Sequence, residues 1–121
     1  MNSLGRLGED VARKYLEMRG WHILEINYKC HLGEIDLIVL QPAPQPILVF
    51  VEVKTRRSSY HGHPAASVDL RKQKRLFQVA NSYMEYYQSA TEPQCRFDVI
   101  EVICTKDGLR ISNHLEGAFT G

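Results

Sequence analysis

GEIDLIVL at residues 33–40 and ILVFVEVKT at residues 47–55 are the stretches that decide the fold, and QPAPQP at residues 41–46 separates them. Both stretches are rich in aliphatic and β-branched residues, which favour strands. The three prolines between them cannot join a central ladder of hydrogen bonds and therefore indicate a turn. The pattern predicts a β-hairpin.

The two faces of this hairpin differ in chemistry. If the turn is centred near Pro44, Asp36 faces Glu52 and Glu34 faces Lys54, all on one face at the end away from the turn. The opposite face is apolar and predicts core: Ile35, Leu37, Val39, Val49, Val51 and Val53. Like charges directly across strands destabilise a sheet, so the acids need compensation. Lys54 in a structural ion-pair cluster would supply part of it, and a divalent cation held by Asp36 and Glu52 would supply more.

The rest of the chain alternates helices and strands. Helical spacing of apolar residues predicts one helix over residues 3–19 and a second that begins near Ser67 or Asp69 and ends before Pro93. The inward stripe of the second helix is expected to comprise Leu76, Ala80, Tyr83, Met84 and Tyr87. Further strands are predicted from WHILEINY, RFDVIEVIC and LRIS, at residues 21–28, 96–104 and 109–112.

Composition bounds the class of protein. The 121 residues, with 44% hydrophobic and 24% charged, fit one globular domain spanning residues 1–121. The longest apolar run, residues 47–51, is far shorter than the roughly 20 residues of a membrane helix. No secretory signal is visible at residues 1–9, so we expect a cytoplasmic protein. Three cysteines without a CxxC pair are expected to be reduced, and no zinc site is indicated.

Positive charge is concentrated in the middle of the chain. Residues 54–75 carry seven Lys or Arg against one Asp, although the net charge of the whole chain is only +1. Such a segment can contact nucleic-acid phosphates, or it can be a solvated helix face with its preceding loop. The residues expected to bind nucleic acid are Arg56, Arg57, Arg71, Lys72, Gln73, Lys74 and Arg75. Lys72 and Gln73 are expected to point toward the sheet, and Tyr60, His61 and His63 either stack on a base or have no role.

An acid two residues before a lysine is a weak motif by itself. Here it lies in an apolar strand, opposite another acid and next to the basic segment. GEIDLI at residues 33–38 and FVEVKTR at residues 50–56 resemble the PD-(D/E)xK nuclease signature as carried by the YraN-like group of uncharacterised bacterial proteins. That group is similar to archaeal Holliday junction resolvases. The resemblance extends over residues 8–27, 62–84 and 96–103, and over GAF near the C-terminus.

The resemblance implies a fold and an activity. The fold is a three-layer, restriction-endonuclease-like α/β domain with a mixed central sheet flanked by helices. The activity is Mg²⁺- or Mn²⁺-dependent endonucleolytic hydrolysis of DNA, branched or otherwise structured, with water as the nucleophile. It also implies catalytic roles for Glu9, Asp36, Glu52 and Lys54, and metal-binding positions at Asp36, Glu52, Val53 and Glu9. The proline-rich turn, and Lys29 where arginine is common, depart from the family pattern away from these positions.

Glu9 has a different interpretation when only its helix is considered. Helical spacing alone favours a surface glutamate that pairs with Arg13 one turn later. Gly5 and Gly8 would permit close approach of the helix to the sheet. Only the resemblance assigns Glu9 to the site, where it is expected to act through a metal-bound water.

Two other classes of function fit the same residues. The domain could bind nucleic acid without cutting it, with a vestigial nuclease site, or its basic segment could dock an acidic protein. Cleavage of both strands of a duplex or junction would require two copies of a single site, which makes a homodimer plausible.

Overall fold

In the described part of the chain, residues 3–57, 68–87 and 93–120, the computed structural model contains two helices and five strands. Their order is α1 Leu4–Met18, β1 His22–Cys30, β2 Gly33–Gln41, β3 Ile47–Arg56, α2 Leu70–Tyr86, β4 Gln94–Thr105 and β5 Gly108–Leu115. The predicted elements are confirmed, with the last strand longer than expected. The loop residues Tyr60, His61 and His63 lie outside the described ranges.

The five strands form one mixed sheet in the order β1-β2-β3-β4-β5. Neighbours are antiparallel except β3 and β4, which are parallel and joined by the connection that contains α2. A parallel pair needs such a crossover. The hairpin register predicted from the turn is confirmed from Gln41–Ile47 to Leu37–Val51. The protein is thus an α/β domain with a five-stranded mixed sheet and two helices.

Each helix covers a separate hydrophobic cluster. Ala12 and Leu16 of α1 pack with one set of strand residues, Leu37, Val39, Val49, Val51, Ile100 and Val102. Leu76, Val79, Ala80 and Tyr83 of α2 pack with another, Ile35, Ile38, Leu48, Phe50 and Val99. Because β2 and β3 alternate between these clusters, both faces of the hairpin contribute to the core. Ile35 departs from the predicted face, since it packs under α2 and not with Leu37.

Both helices begin at a side-chain cap. Ser3 Oγ accepts a hydrogen bond from the Arg6 amide at 3.2 Å, and Asp69 Oδ1 accepts one from the Lys72 amide at 2.9 Å. Such caps typically stabilise a helix by about 1 kcal/mol. The cap at Asp69 fixes where α2 starts, and this determines which of its side chains reach the sheet.

A buried polar cluster fixes β5 and α1 to β4. Asp98 is fully buried and accepts hydrogen bonds from Arg96 Nε at 2.8 Å and from the Gly117 amide at 3.1 Å. His114 Nε2 lies 2.8 Å from Asp98, and its Nδ1 lies 2.7 Å from the Tyr15 hydroxyl. Burial alone would raise the pKa of Asp98, but His114 and Arg96 outweigh it and lower the pKa. This aspartate is fully compensated.

No helix in the described ranges is long and apolar enough to cross a lipid bilayer.

Candidate functional site

The pairing of β2 and β3 ends where the predicted acids lie. Backbone partners run as far as Leu37–Val51, and beyond them the Val53 amide donates to Asp36 Oδ2 at 2.8 Å. A carboxylate therefore takes the place of a carbonyl in the ladder. Because the N–H and C=O of one strand residue point to the same neighbouring strand, the Val53 carbonyl also faces this opening. Asp36 thus contacts the Val53 backbone, directly after Glu52 in the sequence.

Asp36 is poorly compensated in this position. Burial and the nearby Glu52 carboxylate raise its pKa from 3.8 to about 6, against the opposing effects of the Val53 amide, Lys72 and Lys54. Burial disfavours the charged form of an acid, and a second carboxylate disfavours it further. Asp36 and Glu52 therefore interact electrostatically, although the backbone pairs of β2 and β3 end before these two residues.

Two lysines lie against these acids. Lys72 Nζ is 2.9 Å from Glu52 Oε2, and the Glu52 side chain is only 6% exposed. Burial alone would lower the pKa of Lys72, but its contact with Glu52 outweighs this effect and raises the pKa. Burial lowers the pKa of Lys54, and neighbouring Lys72 lowers it further, against the attraction of Glu52 and Asp36. Lys72 thus points toward the sheet, as expected, and forms an ion pair with the acid cluster; its contact with nucleic acid stays a prediction.

Glu9 joins the cluster from α1. Burial and the Asp36 carboxylate raise its pKa, and a hydrogen bond from the Asn27 side chain opposes the shift. Arg13, its alternative surface partner, instead pairs with Glu17 at 3.0 Å. Glu9 thus lies near enough to Asp36 to interact with it, and among the described residues Arg13 pairs with Glu17 rather than with Glu9. A role for Glu9 in a metal site stays a prediction.

Gly8 brings Glu9 into range. A Cβ added at Gly8 would overlap Thr55 Oγ1 and lie 2.9 Å from Thr55 Cβ, whereas one at Gly5 would meet only Ser3 Oγ at 4.0 Å. Only glycine therefore allows α1 to approach β3 this closely.

Asn27 is a site residue that the sequence reasoning missed. It lies in β1 with a positive φ of 52°, between the pairs Ile26–Leu37 and Tyr28–Ile35, and is therefore next to Asp36 on the facing strand. Asparagine tolerates this left-handed conformation better than most residues. The available signal was an asparagine, a residue depleted in strands, inside a predicted strand.

The remaining predicted residues lie around the cluster rather than in it. Arg57, Arg71, Lys74 and Arg75 are exposed, as phosphate contacts require. Arg56 Nη1 lies 3.3 Å from the buried carboxylate of Glu101, in a largely buried ion pair.

Two more predicted positions have local partners. Gln73 Nε2 donates to the Val68 carbonyl at 2.9 Å, which fixes the start of α2. Glu34 does not join Lys54 but lies 3.9 Å from Lys29 on β1, in an exposed pair. The acid cluster is thus formed by Glu9, Asp36 and Glu52.

Metal-binding capacity depends on donors other than side chains. Among the residues that the structure describes, no three His, Cys, Asp or Glu side chains are grouped closely enough to hold a metal ion. Mg²⁺ is usually bound by one or two carboxylates and keeps several waters. The chemistry of the donor set, two hard carboxylates and a strand carbonyl facing one opening, fits that mode of binding.

Comparison with known proteins identifies the family. The model of the uncharacterised protein family UPF0102 matches residues 8–102. The chain is similar to a UPF0102 protein of Caldanaerobacter subterraneus, with 41% identity over 97% of this chain and 94% of the relative. It is similar to another from Alkaliphilus metalliredigens, with 45% identity over 87% and 89%. The YraN-like membership expected from the sequence is thus confirmed, and the chain belongs to the UPF0102 family.

Proposed function

We propose that this protein is a cytoplasmic, Mg²⁺- or Mn²⁺-dependent endonuclease that hydrolyses phosphodiester bonds of branched or otherwise structured DNA. The observation that carries the proposal is the placement of Asp36 and Glu52 at the point where β2 and β3 separate, with Lys54 and Lys72 beside them. In this proposal the sheet and its two helices form the three layers of a restriction-endonuclease-like domain.

The acids leave a negative charge that a cation would compensate. Asp36, Glu52 and the Val53 carbonyl would hold the ion directly, and Glu9 would act through a water. Such an ion would neutralise charge on the phosphate and acidify a water molecule. The raised pKa of Asp36 supports this role, because an opposite charge nearby would stabilise its ionised form.

Lys54 is the candidate for proton transfer or charge stabilisation. Its ammonium is half-buried next to Lys72, and its pKa is lowered. A lysine whose pKa moves toward neutral pH exchanges protons more readily in the working range. In this role, Lys54 orients the attacking water or stabilises the charge that develops on the phosphate.

A panel of flap, junction, single-stranded and duplex DNA, incubated with Mg²⁺ or Mn²⁺ and with chelator, tests the proposal. We expect metal-dependent products from the wild type, and at least about a 100-fold loss of rate in Glu52→Gln and Lys54→Met. Glu17→Gln on α1 and Lys106→Met in the β4–β5 turn are matched controls at exposed positions and should retain activity. Thermal melts establish that each variant is folded. Unchanged cleavage by Glu52→Gln and Lys54→Met would reject the assignment.

The second candidate is a nucleic-acid-binding module that does not cut. The Lys72–Glu52 ion pair favours it, because this pair compensates part of the acid charge without a metal. Binding unaffected by chelator, with no product from any substrate, would support this candidate. In the nuclease case, cleavage of both strands would use two copies of the chain, which sedimentation on uncleavable junctions would detect.

A further inference from the structure

A groove of about 690 Å³ lies beside the acid cluster. One wall is the turn between β1 and β2, with Cys30 and Gly33, and the other is the first two turns of α2. Leu76, which is buried, and Cys30 give the floor an apolar part. The groove therefore combines a nonpolar base with walls formed by a turn and a helix.

Among the described residues that line this groove, basic side chains outnumber acidic ones four to two. Four cations line it, Lys29, Arg71, Lys72 and Arg75. Lys72 also forms the ion pair with Glu52, so this lysine links the groove to the acid cluster.

The two lining carboxylates are already engaged. Asp69 caps α2 by accepting the Lys72 amide at 2.9 Å, and Glu34 lies 3.9 Å from Lys29. Arg71 and Arg75 are exposed and form no ion pair with a carboxylate in the described part of the chain. Their charge is available to an anion.

Arg75 is held in place by the turn. A Cβ added at Gly33 would lie 3.2 Å from Arg75 Cγ and Cδ, and φ at Gly33 is +147°. The aliphatic part of Arg75, which lines the groove, thus packs directly over a glycine. Ordering this side chain before binding reduces the entropy lost when it contacts a ligand.

We propose that this groove binds a single-stranded polynucleotide segment, with phosphates against Arg71 and Arg75 and a base over Leu76. The volume lies in the range, about 300–1,000 Å³, of sites that enclose one small organic ligand, and so suits a nucleotide or two rather than a duplex. The inference rests on the proposed function in one respect: the strand leaves the groove at the acids where it is cut. It specifies the substrate as a strand with an unpaired segment.

Binding in chelator tests the groove without cleavage. We expect a labelled 12-nucleotide single strand, DNA or RNA, to bind at least 10-fold more tightly than a duplex of the same sequence. Arg71→Ala and Arg75→Ala should each weaken single-strand binding about 5-fold and reduce the salt slope by about 0.7. Arg110→Ala, exposed on β5, is the matched control and should leave the affinity unchanged. Comparing the DNA and RNA arms identifies the preferred sugar, and polyglutamate serves as an acidic-peptide probe.

The outcomes separate this inference from the nuclease proposal. Three results would overturn the groove assignment, even if cleavage is observed. They are equal or tighter binding of the duplex, equal competition by polyglutamate, and a loss of affinity in Arg110→Ala as large as that in Arg75→Ala. Selective single-strand binding that Arg75→Ala weakens would support it, even if no substrate is cut.

Discussion

Replacing Asp36 by Asn should stabilise the metal-free protein at alkaline pH. The native pKa of Asp36 is about 6 against 3.8 for the ordinary side chain. Between these values the folded state holds more protons than the unfolded state, so stability falls as pH rises through this window. Above pH 6 the full cost of ionising a buried, crowded carboxylate is present. Asn removes that cost and still offers an oxygen to the Val53 amide.

The pKa shift sets the size of the effect. A difference of about 2 units corresponds to about 3 kcal/mol, and partial exposure of Asp36 reduces this to about 2 kcal/mol. We therefore expect Asp36→Asn to raise the free energy of unfolding by about 2 kcal/mol at pH 8. At pH 4, where the native carboxyl is already protonated, the gain should be close to zero.

Asp98→Asn is the matched control because it makes the same substitution in the same sheet. Asp98 is ionised against Arg96 and beside His114, and its pKa is lowered. Removing the charge from such a buried network is expected to cost about 3–5 kcal/mol. The two variants should thus have opposite effects on stability at pH 8.

Urea denaturation in chelator at pH 4, 6 and 8 measures both changes. The reasoning is refuted if Asp36→Asn destabilises the protein at pH 8, or if its gain is the same at pH 4 and pH 8. Either result would mean that Asp36 is compensated in the native state as Asp98 is.

Three further predictions follow from the site. Gly8→Ala should lower the free energy of unfolding by about 1–3 kcal/mol, because the added methyl group would overlap Thr55. Gly5→Ala should be neutral or stabilise the protein by up to about 1 kcal/mol. Equal urea midpoints of the two variants would contradict the close helix–sheet contact. Mg²⁺ at pH 8 and about 100 times its Kd should stabilise the wild type by about 2.7 kcal/mol. The stability of Glu52→Gln in thermal melts should not change, and an equal shift in both proteins would place the ion elsewhere. Asn27→Gly preserves the left-handed backbone but removes the hydrogen bond to Glu9. The affinity for Mn²⁺, measured by calorimetry, should therefore fall. An unchanged affinity would show that Glu9 does not depend on this contact.

The hairpin and its acids could be predicted because their signals are local. The prolines of the turn set the register as far as Leu37–Val51, and Asp36 and Glu52 follow directly beyond that pair. Strand periodicity predicts that Glu34 also lies in this cluster, but its side chain does not. Its strand also pairs with β1, where Lys29 is its direct partner. The residue pattern of one strand does not show which neighbouring strand a side chain at its end will contact.

The remaining contacts depend on how separate elements pack. The ion pair of Lys72 with Glu52 requires the position of α2 over the sheet, which the Asp69 cap fixes but no periodicity specifies. The left-handed backbone at Asn27 departs from the strand pattern around it. The approach of Gly8 to Thr55 likewise appears only once α1 is docked. These are tertiary constraints, and a linear pattern carries little of their information.

The ion pair between Lys72 and Glu52 has a consequence for the sign of the local field. When all groups are ionised, Glu9, Asp36 and Glu52 outnumber Lys54 and Lys72 by a single elementary charge. A divalent cation would therefore convert a weakly repulsive surface into an attractive one for phosphate. Linkage requires the reverse as well: a polyanion seated nearby would tighten the hold on the cation by the same factor.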